Sequence, residues 1–202
     1  MTDEAAPWWG VVSSTAAPAL LIGGWTWAAA RQEIGFDSLT QTISALAALD
    51  ATDRWVMTSA LVGVGLAHIT TALALRHAAL PGRLVLATGG VATVLVAVFP
   101  LPTVLGDGGS GTHAIVAGIS FGALGVWPAL AMRGSAGGKR RIPWGLRRTV
   151  ALAATAVLLA GVGWFVSDLG KDLSQVGLSE RVAAGAQAVW PLLVVLSTRR
   201  SG

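Results

Sequence analysis

Cysteine is absent from the 202 residues. That excludes a disulfide scaffold, a thiolate metal site and a cysteine nucleophile. Charge is scarce: 12% of residues are Asp, Glu, Lys or Arg, about half of the ~25% usual in a soluble domain. With 53% hydrophobic residues, that scarcity excludes an ordinary soluble enzyme and a disordered tail. The two lysines, Lys139 and Lys171, both lie between apolar runs, so no mid-span lysine is present for a retinal Schiff base. No HExxH or Walker loop occurs.

What the chain does have is apolar length. A helix needs roughly 20 apolar residues to cross the hydrocarbon core. Six segments approach or meet this: 8–30, 55–75, 84–99, 114–132, 150–167 and 182–197. Backbone amides in lipid must be satisfied within the segment, and the runs lack the alternation of a membrane barrel. The expectation is all-α: an integral membrane bundle of six transmembrane helices forming one domain over residues 1–202.

Orientation follows from the basic residues. With both termini cytoplasmic, that side holds Arg76, Arg83, Arg133, Lys139, Arg140, Arg141, Arg147, Arg148, Arg199 and Arg200. The other side holds Arg31, Arg54, Lys171 and Arg181, a split of 10 against 4. This is the positive-inside pattern of a multi-pass plasma-membrane protein. The same placement explains the net charge of +4 without a nucleic-acid partner. Ala28-Ala29-Ala30 has a cleavage-site look, but Met-Thr-Asp-Glu is not a basic leader, so the first run is read as a retained span.

The spans predict little chemistry of their own. No Asp, Glu, Lys or Arg falls near the middle of one, and His68 is the one titratable group well inside. Its plain role is a neutral imidazole hydrogen-bonded to a neighbour. No two of His68, His77 and His113 share a membrane depth, so a bis-histidine haem is not expected. No cofactor and no metal site is expected. Gly118 and Gly122 form a GxxxG on the fourth span, expected to serve packing within the bundle. Trp8, Trp9, Trp55, Trp144 and Trp190 fall at span ends, and Trp25, Trp27, Trp127 and Trp164 within a turn or two of an interface.

The outer loops carry the polar groups. In loop 31–54, Asp37 or Ser38 can cap a helix, and Ser38 to Gln41 has capping-box spacing. Phe36, Leu39, Ile43, Leu46 and Ala47 then share a helical face, which predicts a short amphipathic helix on the outer surface or tucked between spans. Loop 100–112 is rich in Pro and Gly, with Thr112 expected to cap the fourth span. His113 with Asp107, Asp168, Asp172, Glu180, Glu33, Asp37 and Asp50 all lie at or beyond outer helix ends. A histidine near carboxylates can bind a ligand or run acid–base chemistry. His113 and Asp168 are the leading catalytic candidates, and Asp37, Gln41, Ser44, His113 and Asp168 the expected ligand-binding set.

Gln41-Thr42-Ile43-Ser44-Ala45-Leu46, Arg54-Trp55-Val56-Met57, Phe99-Pro100 and His113 resemble the pattern of the bacterial domain-of-unknown-function 998 family. The resemblance covers most of the chain. It implies a six-helix membrane fold and no stated activity. The family commonly has an acid after the Ser, where this chain has Ala45. Ile-Ser after a first span is also similar to eukaryotic autophagy-modulator and GPI-lipid-remodelling membrane proteins, which implies lipid handling. Three functions stay open: binding of a lipid headgroup or a membrane-protein partner at the outer face, lipid modification by His113 with a carboxylate, and transport of a small solute.

Overall fold

The computed structural model describes residues 5–32, 35–104, 110–133, 142–171 and 175–199. Six long helices carry the fold: α1 (Trp8–Ala30), α2 (Trp55–Ala74), α3 (Leu80–Val98), α4 (Gly111–Ala131), α5 (Arg148–Asp168) and α6 (Val176–Arg199). Two single 3₁₀ turns, Ser44–Ala47 and Trp144–Leu146, complete the regular structure among the described residues. Helices α2 to α6 are long and apolar enough to cross a membrane, the mark of a membrane-embedded protein. Helix α1 has 23 residues and no charge, but its Ser, Thr, Gly and Trp content keeps it out of that set.

Some helix ends differ from the apolar runs. Helix α3 starts four residues before the expected 84, with Pro81 in its first turn, where the missing N–H costs nothing. Arg83 therefore sits in that turn and gives its Nε–H to the Ala72 carbonyl at the end of α2 (2.9 Å). Helix α6 starts at Val176, six residues before the expected 182. The cap of α4 is Ser110, whose Oγ accepts the N–H of His113 (3.3 Å), rather than Thr112. The amphipathic helix expected in the first loop is instead the short 3₁₀ turn, with Ala45, Leu46 and Ala47 buried. Burial on all sides, not amphipathicity, holds it in place.

The helices form a ring in chain order. Each packs on its chain neighbours, and α1 closes the ring on α6. Near the chain ends, Ala6 N–H donates to Thr198 Oγ1 (3.3 Å). The end of the ring bearing Arg76, Arg83, Arg133 and Arg147 is the basic end; the opposite end bears the 3₁₀ turn Ser44–Ala47 and is the plug end. Polar pairs stitch the ring: Ser13 to Thr71 between α1 and α2 (2.9 Å), and Thr93 to Ser120 between α3 and α4 (2.8 Å). Glycine lets α2 and α3 touch, since a Cβ on Gly65 would stand 2.5 Å from the Gly90 carbonyl oxygen.

The expected GxxxG is not used this way. A Cβ on Gly118 or Gly122 would meet nothing within 4 Å, and Gly118 lies beside the exposed Ile115 and Ile119. Trp127 lies one turn from the end of α4 and faces inward. It is fully buried in the core with Leu75, Leu86, Ala131 and Val194. Trp8, Trp27 and Trp55 are exposed as anchors should be, with Trp27 and Trp55 edge-on at 6.1 Å.

Candidate functional site

The first loop is built to insert. Asp37 Oδ1 accepts the N–H of Leu39 (2.9 Å), and Gln41 Oε1 accepts the N–H of Asp37 (2.7 Å). This pair does the capping expected of Ser38 with Gln41. Gln41 also gives its Nε2–H to Val104 O (3.4 Å), and Asp50 Oδ1 accepts Val104 N–H (2.8 Å), which joins the loop to the α3–α4 connection. Thr42 Oγ1 accepts the N–H of Ala45 and starts the 3₁₀ turn (3.1 Å).

The turn docks on α6. Leu178 N–H donates to Leu39 O (3.0 Å). Arg181 gives Nη1–H to the carbonyls of Ser38 (2.8 Å), Gln41 (2.8 Å) and Gly177 (2.9 Å). Glu180, one residue before, turns inward. Its Oε2 accepts the N–H of Ile43 and its Oε1 the hydroxyl of Ser44 (3.4 Å). A carboxylate at this amide caps the 3₁₀ turn from another element.

Behind the turn lies a cavity of about 60 Å³. Leu21 of α1, His68 of α2, Thr93 of α3, Ser120 and Phe121 of α4, and Gln187 of α6 reach it, with Ser44 and Glu180 at the plug end. Helix α5 supplies none of its lining. Glu180 and Gln187 are seven residues apart, two turns, and so share a face of α6. Glu180 is 4% exposed, His68 1% and Gln187 1%. Gln187 spends its Nε2–H on Phe121 O (2.9 Å), while its Oε1 has no partner. His68 Nδ1 also has none. The plain expectation of a His68 bonded to a neighbouring carbonyl or threonine therefore does not hold at that nitrogen: Thr71, the nearby hydroxyl, is bonded to Ser13.

The expected site residues divide. Ser44 reaches the cavity, and Asp37 and Gln41 shape the loop that carries it. His113 lies outside the lining; its Nδ1–H donates to Phe99 O (2.8 Å), tying α4 to the end of α3. Asp168, at the end of α5, pairs with Lys171 (3.6 Å), and its Oδ2 is buried without a partner. No hydrogen bond joins His113 to Asp168 among the described residues. Glu33, Asp107 and Asp172 lie outside the described residues. Among the described residues no three His, Asp or Glu side chains are grouped to hold a metal ion.

Glu180, expected among the acids at or beyond the outer helix ends, is a buried acid inside α6. The signal was available in its seven-residue spacing to Gln187 on an otherwise small and apolar face. On the plug end's surface, Asp53 pairs with Arg31. The guanidinium hydrogen bond there holds the Asp53 carboxyl below its ordinary value.

A ring of apolar helices around a small, mainly apolar cavity that holds a few polar side chains defines a membrane-embedded α-helical bundle. Residues 14–197 match the model of the family described as Protein of unknown function (DUF998), and the chain belongs to that family. Comparison with curated proteins and with solved structures gives no match.

Proposed function

We propose that the protein binds a small polar group, the end of a lipid headgroup, in the cavity inside the helix ring. In this reading α1 is the sixth span, the basic end is cytoplasmic, and the cavity lies toward the outer leaflet of the plasma membrane. The 10-against-4 split of Lys and Arg supports that orientation. One observation carries the function: two side chains, His68 and Gln187, are almost fully buried, line one cavity and hold polar atoms without a protein partner. A buried unpaired polar atom costs about 1–3 kcal/mol. Such a cost is offset when water or a ligand fills the site.

Binding is favoured over lipid modification by His113, because that ring is committed to the Phe99 carbonyl and is not among the cavity's lining. It is favoured over a partner protein because the unpaired atoms face an internal cavity. Passage of a small solute is the second reading, favoured by the depth of His68 and Gln187, which lie 13 and 11 residues from the plug-end starts of their helices at Trp55 and Val176.

Native mass spectrometry of protein released from its membranes tests this. One bound lipid per chain is expected in the parent, falling about tenfold in Gln187→Leu and His68→Leu, the loss of one hydrogen bond to a buried group. A parent that carries no lipid under conditions that retain annular lipids overturns the reading.

A further inference from the structure

The protons in the cavity can be counted. Ser44 gives its hydroxyl proton to Glu180. Thr93 Oγ1 gives its proton to Gly89 O (2.9 Å). In the 2.8 Å contact between Thr93 and Ser120 the proton must therefore come from Ser120. One of the two Nε2–H donors of Gln187 goes to Phe121 O. Each hydroxyl has one proton, and each of these is used within the protein. Two donors are left among these side chains, the second Nε2–H of Gln187 and the N–H of the His68 ring.

Acceptors, by contrast, are in surplus. Gln187 Oε1 has no partner. Glu180 Oε1 has one long contact, at 3.4 Å from Ser44. Ser120 Oγ keeps its lone pairs, and the neutral imidazole of His68 has one acceptor nitrogen. One carboxyl side chain, that of Glu180, lines the cavity, and among the described residues no Lys or Arg does. Arg181 is adjacent in sequence but is turned to the carbonyls of Ser38, Gln41 and Gly177.

From this donor and acceptor balance we infer that the cavity selects a primary ammonium group, a cation that brings its own N–H donors. The inference rests on the cavity being a ligand site, and it names the ligand's chemistry. A phosphate or carboxylate would meet Glu180 and several lone pairs with two neutral N–H donors and no cation to receive it. A quaternary ammonium has no N–H and is held by aromatic faces; Phe121 is the one aromatic side chain in the lining. A volume of about 60 Å³ holds on the order of four to six waters. That suits the aminoethyl end of a headgroup or a small free amine, not a bulky trimethylated one.

Delipidated full-length protein is titrated with phosphatidylethanolamine, phosphatidylcholine, phosphatidylglycerol and free ethanolamine, and binding is read by native mass spectrometry. Phosphatidylethanolamine is expected to bind at least about tenfold more tightly than the other two lipids, a ratio fitting charge-assisted hydrogen bonds. Glu180→Gln keeps an acceptor for Ile43 N–H and removes the charge; it should lose about tenfold for phosphatidylethanolamine and nothing for phosphatidylglycerol. Gln187→Leu gives the same direction through a different residue if Glu180→Gln fails to fold. Ethanolamine binding without lipid binding supports the ammonium chemistry and overturns the lipid source. Phosphatidylcholine or phosphatidylglycerol bound as tightly as phosphatidylethanolamine overturns the inference and leaves the headgroup reading standing. Binding of none of the four overturns both.

Discussion

Replacing Gly177 with alanine should pry the first loop from α6. The Cβ added at Gly177 would stand 2.3 Å from Gln41 O and 2.5 Å from Ser38 O. An ordinary carbon–oxygen contact is about 3.3 Å or more, so the segment 38–41 must retreat by about 1 Å. Both near atoms are backbone, so no side chain can swing aside. The retreat stretches Leu178 N–H to Leu39 O (3.0 Å) and the Arg181 bonds to Ser38 and Gln41 (2.8 Å each). Overpacking of this kind costs typically about 1–3 kcal/mol, and the weakened charge-assisted bonds add to it, so about 2–4 kcal/mol is expected. Because the chain has no cysteine, Ser44→Cys gives a unique reporter at the mouth of the cavity. In that background Gly177→Ala should lower Tm in detergent and speed maleimide labelling at position 44. Gly118→Ala is the control: nothing stands within 4 Å of its added Cβ, so stability should hold or rise by about 0.5–1 kcal/mol from helix propensity. Equal Tm and equal labelling rates in the Gly177→Ala and parent reporters would refute the docking argument.

Three further outcomes follow from the same contacts. His68→Leu should leave unfolding of the ligand-free protein unchanged or slightly raise its Tm, since it removes a buried group whose Nδ1 has no partner; a clear loss of stability in delipidated protein would mean the ring is bonded after all. Ser120→Ala should cost about 0.5–1.5 kcal/mol in a denaturant titration by removing the bond to Thr93, with Thr93 still donating to Gly89. The Arg31 pair holds the Asp53 carboxyl below its ordinary value, so its contribution is complete above the unfolded carboxylate pKa of about 4 and fades as pH falls through the lower folded value. The Tm gap between the parent and Asp53→Asn should therefore be present at neutral pH and close in acid; a gap that widens in acid would contradict the pairing.

The helices were legible because six apolar runs, separated by Arg, Pro and Gly clusters, leave little other choice in a chain this poor in charge. Their ends were less legible where polar residues belong to a helix. Arg83 reads as a loop residue until its guanidinium is seen on the α2 carbonyl, and Glu180 and Arg181 read as loop charges until α6 is seen to start at Val176. The same error hid the site, since Glu180 was counted with the acids at or beyond the outer helix ends. Ser44 was found from its place in the first loop, but His68, Thr93, Ser120 and Gln187 come from four helices whose azimuths no local pattern fixes. The apolar face in loop 31–54 was real. Its helical period was not extended enough to make an α-helix, and burial against α1 and α2 yields one 3₁₀ turn instead. Gly118 and Gly122 show the opposite failure, a packing motif with no packing partner in the bundle.

The most direct test of the central claim is an experimental density map of the protein in lipid nanodiscs containing phosphatidylethanolamine. Ordered non-protein density within hydrogen-bond reach of Gln187 Oε1 and Glu180, continuous toward the outer leaflet, is the predicted result. A dry, collapsed cavity in which His68 and Gln187 bond to each other would contradict the account.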